Sequence, residues 1–403
     1  MRVSTQLIFG VGAGSIGRQQ AEWLRTQQQL STGRRVLAPS DDPIASAQAL
    51  RVEQSRALGA QYVANQGSAR DGLALAESVL AGAGGTIQDA RVLLVQAANS
   101  PLTDADRRSL AAELRGHFAQ LLALANARDS NGEYLFAGYQ GSTQPFVASA
   151  AGAAYNGDEG ERLLQVASGR TVPVSASGAA IFDRVPTGNG DFSVTPGAGN
   201  AGDATHDGGT LAAAALATGH RYSIQFAVAG AATTYDVTDL TTATAVVTGA
   251  VYTAGQAIQF DGLQLTVEGS PADGDSFAID PSASRSVFAA LHDLAALLET
   301  PLGTSGAAHA AFGNGIATGM LALDQASERV LEARARMGSH LKELDSLEAL
   351  VSSGMLHDNE RVSRLTDLDY AEAASRFAAQ QTALEAAQQS YVRVTSLSLF
   401  DYL

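Results

Sequence analysis

Between Leu73 and Ala97 an apolar residue recurs at alternating spacings of three and four: Leu73, Ala76, Leu80, Ala83, Ile87, Ala90, Leu94 and Ala97. That period puts all eight on one stripe of an α-helix, and its persistence marks a coiled-coil seam. Large residues and alanines take turns along it, so a partner helix can approach closely at the alanine levels. A strand cannot use the pattern, because its side chains alternate between two faces. The chain must therefore contain a long helix whose stripe another helix buries.

The start of that helix is written just upstream. In Pro39-Ser40-Asp41-Asp42-Pro43, Asp42 suits an N-cap and Pro43 the first helical position. Extending to about Asn99, the helix spans about 85 Å. Gly82, Gly84 and Gly85 lie inside it, each costing about 1 kcal/mol against alanine, so the helix needs tertiary partners. Pro101 breaks the run. Thr103 and Asp106 have capping-box spacing and open a third helix through Leu110, Leu114, Phe118, Leu121 and Ala125, read as ending at Asn131-Gly132. Before Pro39, Ile16, Trp23 and Leu30 are seven apart with Gln20 and Gln27 between them, a partly polar seam. The zone up to about Tyr139 reads as helical throughout.

From about 140 to 283 the period switches to two. Tyr222, Ile224, Phe226 and Val228 alternate with Ser, Gln and Ala; Ile258 and Phe260 lead through Asp261-Gly262 to Leu263, Leu265 and Val267, a two-residue hairpin signal. Residues 187–210 read as loop. Beyond Ser284 helical stripes return: Val287 to Leu298, Ile316 to Val351, and Tyr370, Ala373, Phe377, Leu384, Ala387, Tyr391 and Val394. Helical ends around a β-rich middle must pair with each other, since neither buries its stripe alone. The fold class is α+β: a long α-helical coiled-coil bundle formed by the N- and C-terminal segments, with an inserted β-rich domain. Its expected divisions are terminal helical segments at 1–40 and 360–403, a helical rod with β-hairpin elements at 41–184 and 284–359, and the insert at 185–283.

Composition narrows the function. A net charge of −15 repels phosphate backbones and anionic lipid, so neither nucleic acid nor a membrane surface is an expected partner. The chain has no cysteine, which removes disulfides, thiol catalysis and Cys-based zinc sites. No segment approaches the ~20 apolar residues of a membrane span, and Leu7–Phe9 is too brief for a signal-peptide core.

Candidate chemistry is sparse. Gly12-Ala13-Gly14-Ser15-Ile16-Gly17 satisfies the dinucleotide fingerprint G-x-G-x-x-G. A short polar segment precedes it, however, and a long helical pattern follows instead of a βαβ unit, so it reads as flexible backbone near the terminus. His292, His340 and His357 lack a second ligand at helical spacing. Asp41-Asp42 reads as a cap, and Asp273-Gly274-Asp275 as a polar turn rather than a cation site. No catalytic, cofactor-binding or metal-binding residue is assigned. The last residues, Leu397, Leu399, Phe400, Tyr402 and Leu403, are largely apolar, and with Ile16, Trp23, Leu30, Tyr391 and Val394 they form an expected assembly interface.

Three blocks carry a family resemblance: Gln29 to Val36 followed by Pro39-Ser40-Asp41-Asp42-Pro43; Asn131 to Tyr139 with Gln144-Pro145-Phe146; and Asp367 to Ala373, Gln380 to Gln388 and Leu397 to Leu403. In this order the chain resembles the flagellin-like hook-associated proteins of the flagellar hook–filament junction. The resemblance covers roughly 1–146 and 284–403. Asp41-Asp42-Pro43 and the Asn131–Tyr139 block favour the junction protein over flagellin, the nearest alternative. It implies a structural subunit, exported by the flagellar type III system with a chaperone and without a cleaved signal peptide. Outside the cell such a subunit polymerises with copies of itself, between the first hook-associated protein and flagellin. Terminal helices would form an inner tube and the β-domain would face outward.

Overall fold

A computed structural model of the chain describes residues 5–99 and 102–396. Among these are six α-helices: α1 (Thr5–Thr32), α2 (Pro43–Asn99), α3 (Asp104–Ala125), α4 (Val287–Glu299), α5 (Gly306–Thr366) and α6 (Tyr370–Ser396). The strands fall between α3 and α4, so the α+β class holds, with helical ends and a β-rich middle. Two compact units emerge, one from residues up to Ala64 and from Ser346 onward, the other from Asn65–Asp345. Both α2 and α5 contribute residues to each unit.

In the central unit α2 and α5 run antiparallel. Arg70 pairs with Asp345 at 2.6 Å, Glu77 with Arg334 at 2.7 Å and Arg91 with Asp324 at 2.6 Å, so numbers rise on one helix as they fall on the other. All eight residues of the stripe from Leu73 to Ala97 are buried, with Leu80, Ala83, Ala90 and Leu94 at zero exposure. Ile316, Leu323, Val330, Met337 and Leu344 of α5 are buried too. Two of the glycines that weaken α2 are filled against: a Cβ on Gly82 would lie 3.6 Å from Leu124, and one on Gly84 3.6 Å from Val330. Small residues there trade helix propensity for close approach.

The capping box at Thr103 and Asp106 forms with both of its hydrogen bonds. The helix it opens is shorter than expected, ending at Ala125 rather than Asn131-Gly132. Asn126 stops it: its side-chain amide donates to the Phe146 carbonyl and accepts from the Phe146 amide, at 2.8 and 3.0 Å. Residues 126–145 are accordingly turns, and the zone up to Tyr139 is not helical throughout. The chain then packs Phe136, Phe146 and Phe182 with Phe288 of α4, neighbouring ring centroids lying 5.1–6.1 Å apart.

Two short hairpins follow, β1 (Phe146–Ser149) with β2 (Gly152–Tyr155) and β3 (Leu163–Ala167) with β4 (Arg170–Pro173). The later strands are β5 (Val185–Pro186), β6 (Phe192–Pro196), β7 (Thr205–His206), β8 (Thr210–Leu211), β9 (Tyr222–Ala229), β10 (Ala232–Asp239), β11 (Thr244–Val251), β12 (Ala257–Phe260), β13 (Leu263–Glu268), β14 (Ser276–Pro281) and β15 (Ser284–Arg285). A five-stranded sheet runs β11-β10-β9-β14-β6, and β13 joins β12, β7 and β8. Every strand pairing among the described residues is antiparallel. Alternate residues Tyr222, Ile224, Phe226, Leu263, Leu265, Val267, Phe277 and Ile279 make one core. The Asp261-Gly262 hairpin forms, with φ of 42° and 81° at its two turn residues, the left-handed pair that a type I′ turn demands. The segment 187–210 is not all loop: β6 and β7 lie wholly within it and β8 begins at its end. Its glycines hid strands too short to show a period.

Candidate assembly interface

The terminal unit is built on α1 and α6, which pack along each other. Three contacts define the pairing. Gly12 faces Tyr391, whose ring carbon Cδ2 would lie 2.9 Å from a Cβ there; Trp23 meets Phe377; and a Cβ on Gly33 would lie 2.8 Å from the Tyr370 hydroxyl. Moving up α1 means moving down α6, so the helices are antiparallel. Gly12 to Gly17 sit inside α1. They are helical, not the flexible backbone expected from their glycine content, and no strand precedes them among the described residues. The fingerprint therefore lacks the strand–turn–helix setting that lets glycines cradle a pyrophosphate.

The polar residues of this seam differ from those expected. Gln20 and Gln27 point to solvent, whereas Thr26 and Gln29 are buried, and Ile16, Gln19, Trp23 and Leu30 are half-buried. The inward stripe follows the 3.6-residue period rather than a strict heptad. Thr26 returns its hydroxyl to the Glu22 carbonyl at 3.1 Å, and Gln29 Nε2 donates to the Arg35 carbonyl at 2.6 Å. Gln19 Oε1, Trp23 Nε1 and Gln380 Oε1 are buried with no hydrogen-bond partner among the described residues.

Helix α1 stops at Thr32, before the Pro39–Pro43 stretch. Gly33 takes a φ of 70° and its carbonyl accepts from Leu368 at 2.9 Å, while Arg34 bridges Asp367. The Arg35 amide donates to the Thr366 carbonyl at 2.7 Å, and its guanidinium to the Leu365 carbonyl at 2.7 Å and to Asp42 at 3.2 Å. Asp41 Oδ2 accepts from the amides of Leu37 and Ala38, both at 3.0 Å, and Oδ1 pairs with Arg25 at 2.6 Å. Asp42 Oδ1 accepts from Ala45 N at 3.0 Å, one turn into α2. The Ala38 amide, aided by Leu37 and Arg25, holds Asp41 below its usual carboxylate range; the Ala45 amide and Arg35 do so for Asp42. With Ser40 and Pro43 these carboxylates shape a turn.

The other acidic turn is built alike. Asp275, 2% exposed, accepts from the amides of Ala201, Gly202 and Ala272, and Asp273 from that of Val228.

Of the expected interface, Ile16, Trp23, Leu30 and Tyr391 are half-buried and Val394 is 46% exposed. Leu397, Leu399, Phe400, Tyr402 and Leu403 lie outside the described residues. Val11, Leu24, Ile44, Leu50, Leu58, Leu350, Leu356, Val392 and Val394 of the terminal unit are exposed apolar side chains. Tyr370 and Phe377, read from the sequence only as members of a C-terminal stripe, face Gly33 and Trp23.

Family models match the chain in three places: the bacterial flagellin N-terminal helical region over residues 3–141, the D2-like domain of flagellar hook-associated protein 1 over 195–281, and the bacterial flagellin C-terminal helical region over 320–403. The flagellar hook-associated protein 3 of Escherichia coli is 30% identical over 400 residues, 99% of each chain. The chain belongs to the flagellar hook-associated protein 3 family. The Salmonella typhimurium member is 29% identical over the same span. Among solved structures, the flagellar junction protein FlgL of Legionella pneumophila superposes with a TM-score of 0.72 at 28% identity, covering 79% of this chain and all of that one. Xanthomonas campestris FlgL gives 0.71 at 32%, covering 77% and 99%. Like these structural flagellar proteins, this family member carries flagellin-like ends around a β-rich middle.

Proposed function

We propose that this chain is a structural, non-catalytic subunit of the bacterial flagellum, forming the junction layer between hook and filament and polymerising through its terminal helices. The observation that carries this reading is the α1–α6 seam. It pairs the two ends of a hook-associated protein 3 family member, and Gln19, Trp23 and Gln380 have buried polar atoms with no hydrogen-bond partner among the described residues. Val11, Leu24, Val392 and Val394 stand exposed beside it. Exposed apolar side chains gain when another helix arrives to cover them.

In this reading Ile16, Trp23, Leu30, Tyr391, Val394, Leu397, Leu399, Phe400, Tyr402 and Leu403 meet neighbouring copies, and residues 1–40 and 360–403 line an inner tube. Residues 41–184 and 284–359 form a rod stiffened by the Leu73–Ala97 stripe, and 185–283 face outward. The partners are further copies in a ring or tubular layer, the first hook-associated protein on one side, flagellin on the other, and an export chaperone beforehand. Passage through the flagellar type III channel without a cleaved signal peptide would place the subunit outside the cell. The absence of cysteines suits a chain that travels unfolded.

Fluorescently labelled protein should appear as a spot at the filament base; labelling along the whole filament would assign the chain to flagellin instead. Hydrogen exchange on the isolated chain should find residues 10–35 and 375–394 weakly protected, and full protection before assembly would remove the polymerisation step from the proposal.

A further inference from the structure

His206 sits where β7 meets α5 and is 6% exposed. Its backbone amide donates to Asn314 Oδ1 at 3.0 Å, and Asn314 Nδ2 donates to the Ala204 carbonyl at 3.2 Å. Asn314 is itself 2% exposed. One amide side chain on α5 thus clasps the strand on both sides of Thr205. The His206 ring lies edge-on to Phe277 of β14, centroids 5.7 Å apart, and the residue pairs with Val267 of β13.

A hydrogen bond at Nδ1 fixes the ring's tautomer. Nδ1 accepts from the Gly208 amide at 3.0 Å, so the neutral ring carries its proton on Nε2, which is buried with no partner among the described residues. A second proton can enter only at Nδ1, where the Gly208 N–H already points. Protonation must therefore expel that turn. The turn has little slack: Gly208 and Gly209 hold φ of 84° and 71°, and a Cβ on Gly208 would lie 2.5 Å from Leu321 Cδ1 of α5. The charged neighbours do not offer an escape. Asp207 accepts from the Gly209 and Thr266 amides at 2.9 and 3.1 Å, Glu268 pairs across from Thr205, and the α5 and β14 contacts at Asn314 and Phe277 are uncharged.

We propose that His206 is an acid-operated latch, whose protonation breaks the Gly208 turn and releases β7 from the Asn314 clasp on α5. Burial lowers the ring to about 4, outweighing the pull of Asp207. Because the folded value lies below the free one of about 6.5, the latch is fully closed above pH 6.5. It weakens as pH falls from there through 4, and carboxylates of ordinary acidity stay ionised over the upper part of that window.

Hydrogen exchange on the full chain between pH 6.5 and 4.5, corrected for intrinsic rates, tests this. Protection of the His206 and Gly208 amides should fall about tenfold per pH unit, the slope of a single linked proton. His206→Gln, which keeps an acceptor but cannot titrate, should flatten it. Constant protection in the parent chain, or the same slope in the variant, overturns the latch. If the variant does not fold, NMR titration of the parent ring decides. A midpoint near 6.5 with both amides still protected refutes the proposal, and one near 4 accompanied by their release supports it.

Discussion

The indole of Trp23 stacks on the ring of Phe377, centroids 5.3 Å apart and planes 26° from parallel. One residue lies on α1 and the other on α6, more than three hundred positions later, so this stack ties the chain's two ends together. Trp23 is the chain's single tryptophan, which makes its emission a private reporter of that pairing. Phe377→Ala should destabilise the α1–α6 pair by about 1–3 kcal/mol, from lost apolar contact and ring stacking. Emission should shift to the red. An unchanged spectrum would mean that the stack does not persist in solution.

The glycines of α1 should part company under substitution. Among the described residues, no atom outside the local helix lies within 4 Å of a Cβ placed on Gly17, so Gly17→Ala should gain about 1 kcal/mol of helix stability. Gly12→Val instead pushes on the Tyr391 ring and should weaken the pair while leaving α1 intact. Circular dichroism with Trp23 fluorescence separates the two effects. Equal stabilisation by both would contradict the close approach at Gly12.

Along α2, Leu80 has zero exposure. Leu80→Ala should cost about 2–5 kcal/mol in urea unfolding of the central unit, through lost transfer energy and the cavity left behind. Ala83→Leu at an equally buried level should cost about 1–3 kcal/mol by overpacking. An additive, harmless double substitution would show that the stripe tolerates slippage.

Asp42 caps α2 through Ala45 N, and a neutral amide can do the same. Asp42→Asn should therefore melt close to the parent, and Asp42→Ala lower. The folded pKa is depressed, so its contribution is present above the ordinary carboxylate range and lost as pH falls. The Asn variant should lose that part of the pH dependence in thermal melts.

Asp239 offers a stronger acid signature. Despite desolvation, the His220 ring at 2.7 Å, the Thr242 hydroxyl and amide, and the Thr241 amide bring it to about 2. A folded value below the unfolded one of about 3.9 stabilises the fold above pH 4. That stabilisation disappears as pH falls through 2. Asp239→Asn should flatten unfolding curves of the β-rich segment between pH 4 and 2, while exchange in α2 and α5 stays as in the parent.

Much of the fold could be read in advance, for identifiable reasons. The cap at Asp42 and Pro43, the end of α2 near Asn99, the capping box at Thr103 and the Asp261-Gly262 turn all rest on interactions within a few residues. So does the inward set Tyr222, Ile224 and Phe226. What stayed hidden depends on distant partners. Asn126 ends α3 because Phe146 comes back to meet it. Gln19, Thr26 and Gln29 turn inward, and not Gln20 and Gln27, because α6 lies on that side. Gly12 to Gly17 form helix because tertiary packing outweighs a poor local propensity. The Phe136, Phe146, Phe182 and Phe288 cluster carries no period at all.

The sequence by itself determined the helical ends, the antiparallel β-rich middle and the family, through periodicity, capping and turn chemistry that act over one to four residues. Only the tertiary structure decided that Trp23 finds Phe377, that α2 runs against α5 through Glu77 and Arg334, and that His206 is clasped by Asn314. Those choices compare surfaces hundreds of residues apart. No local rule ranks them until the chain has folded and one pairing excludes water better than the others.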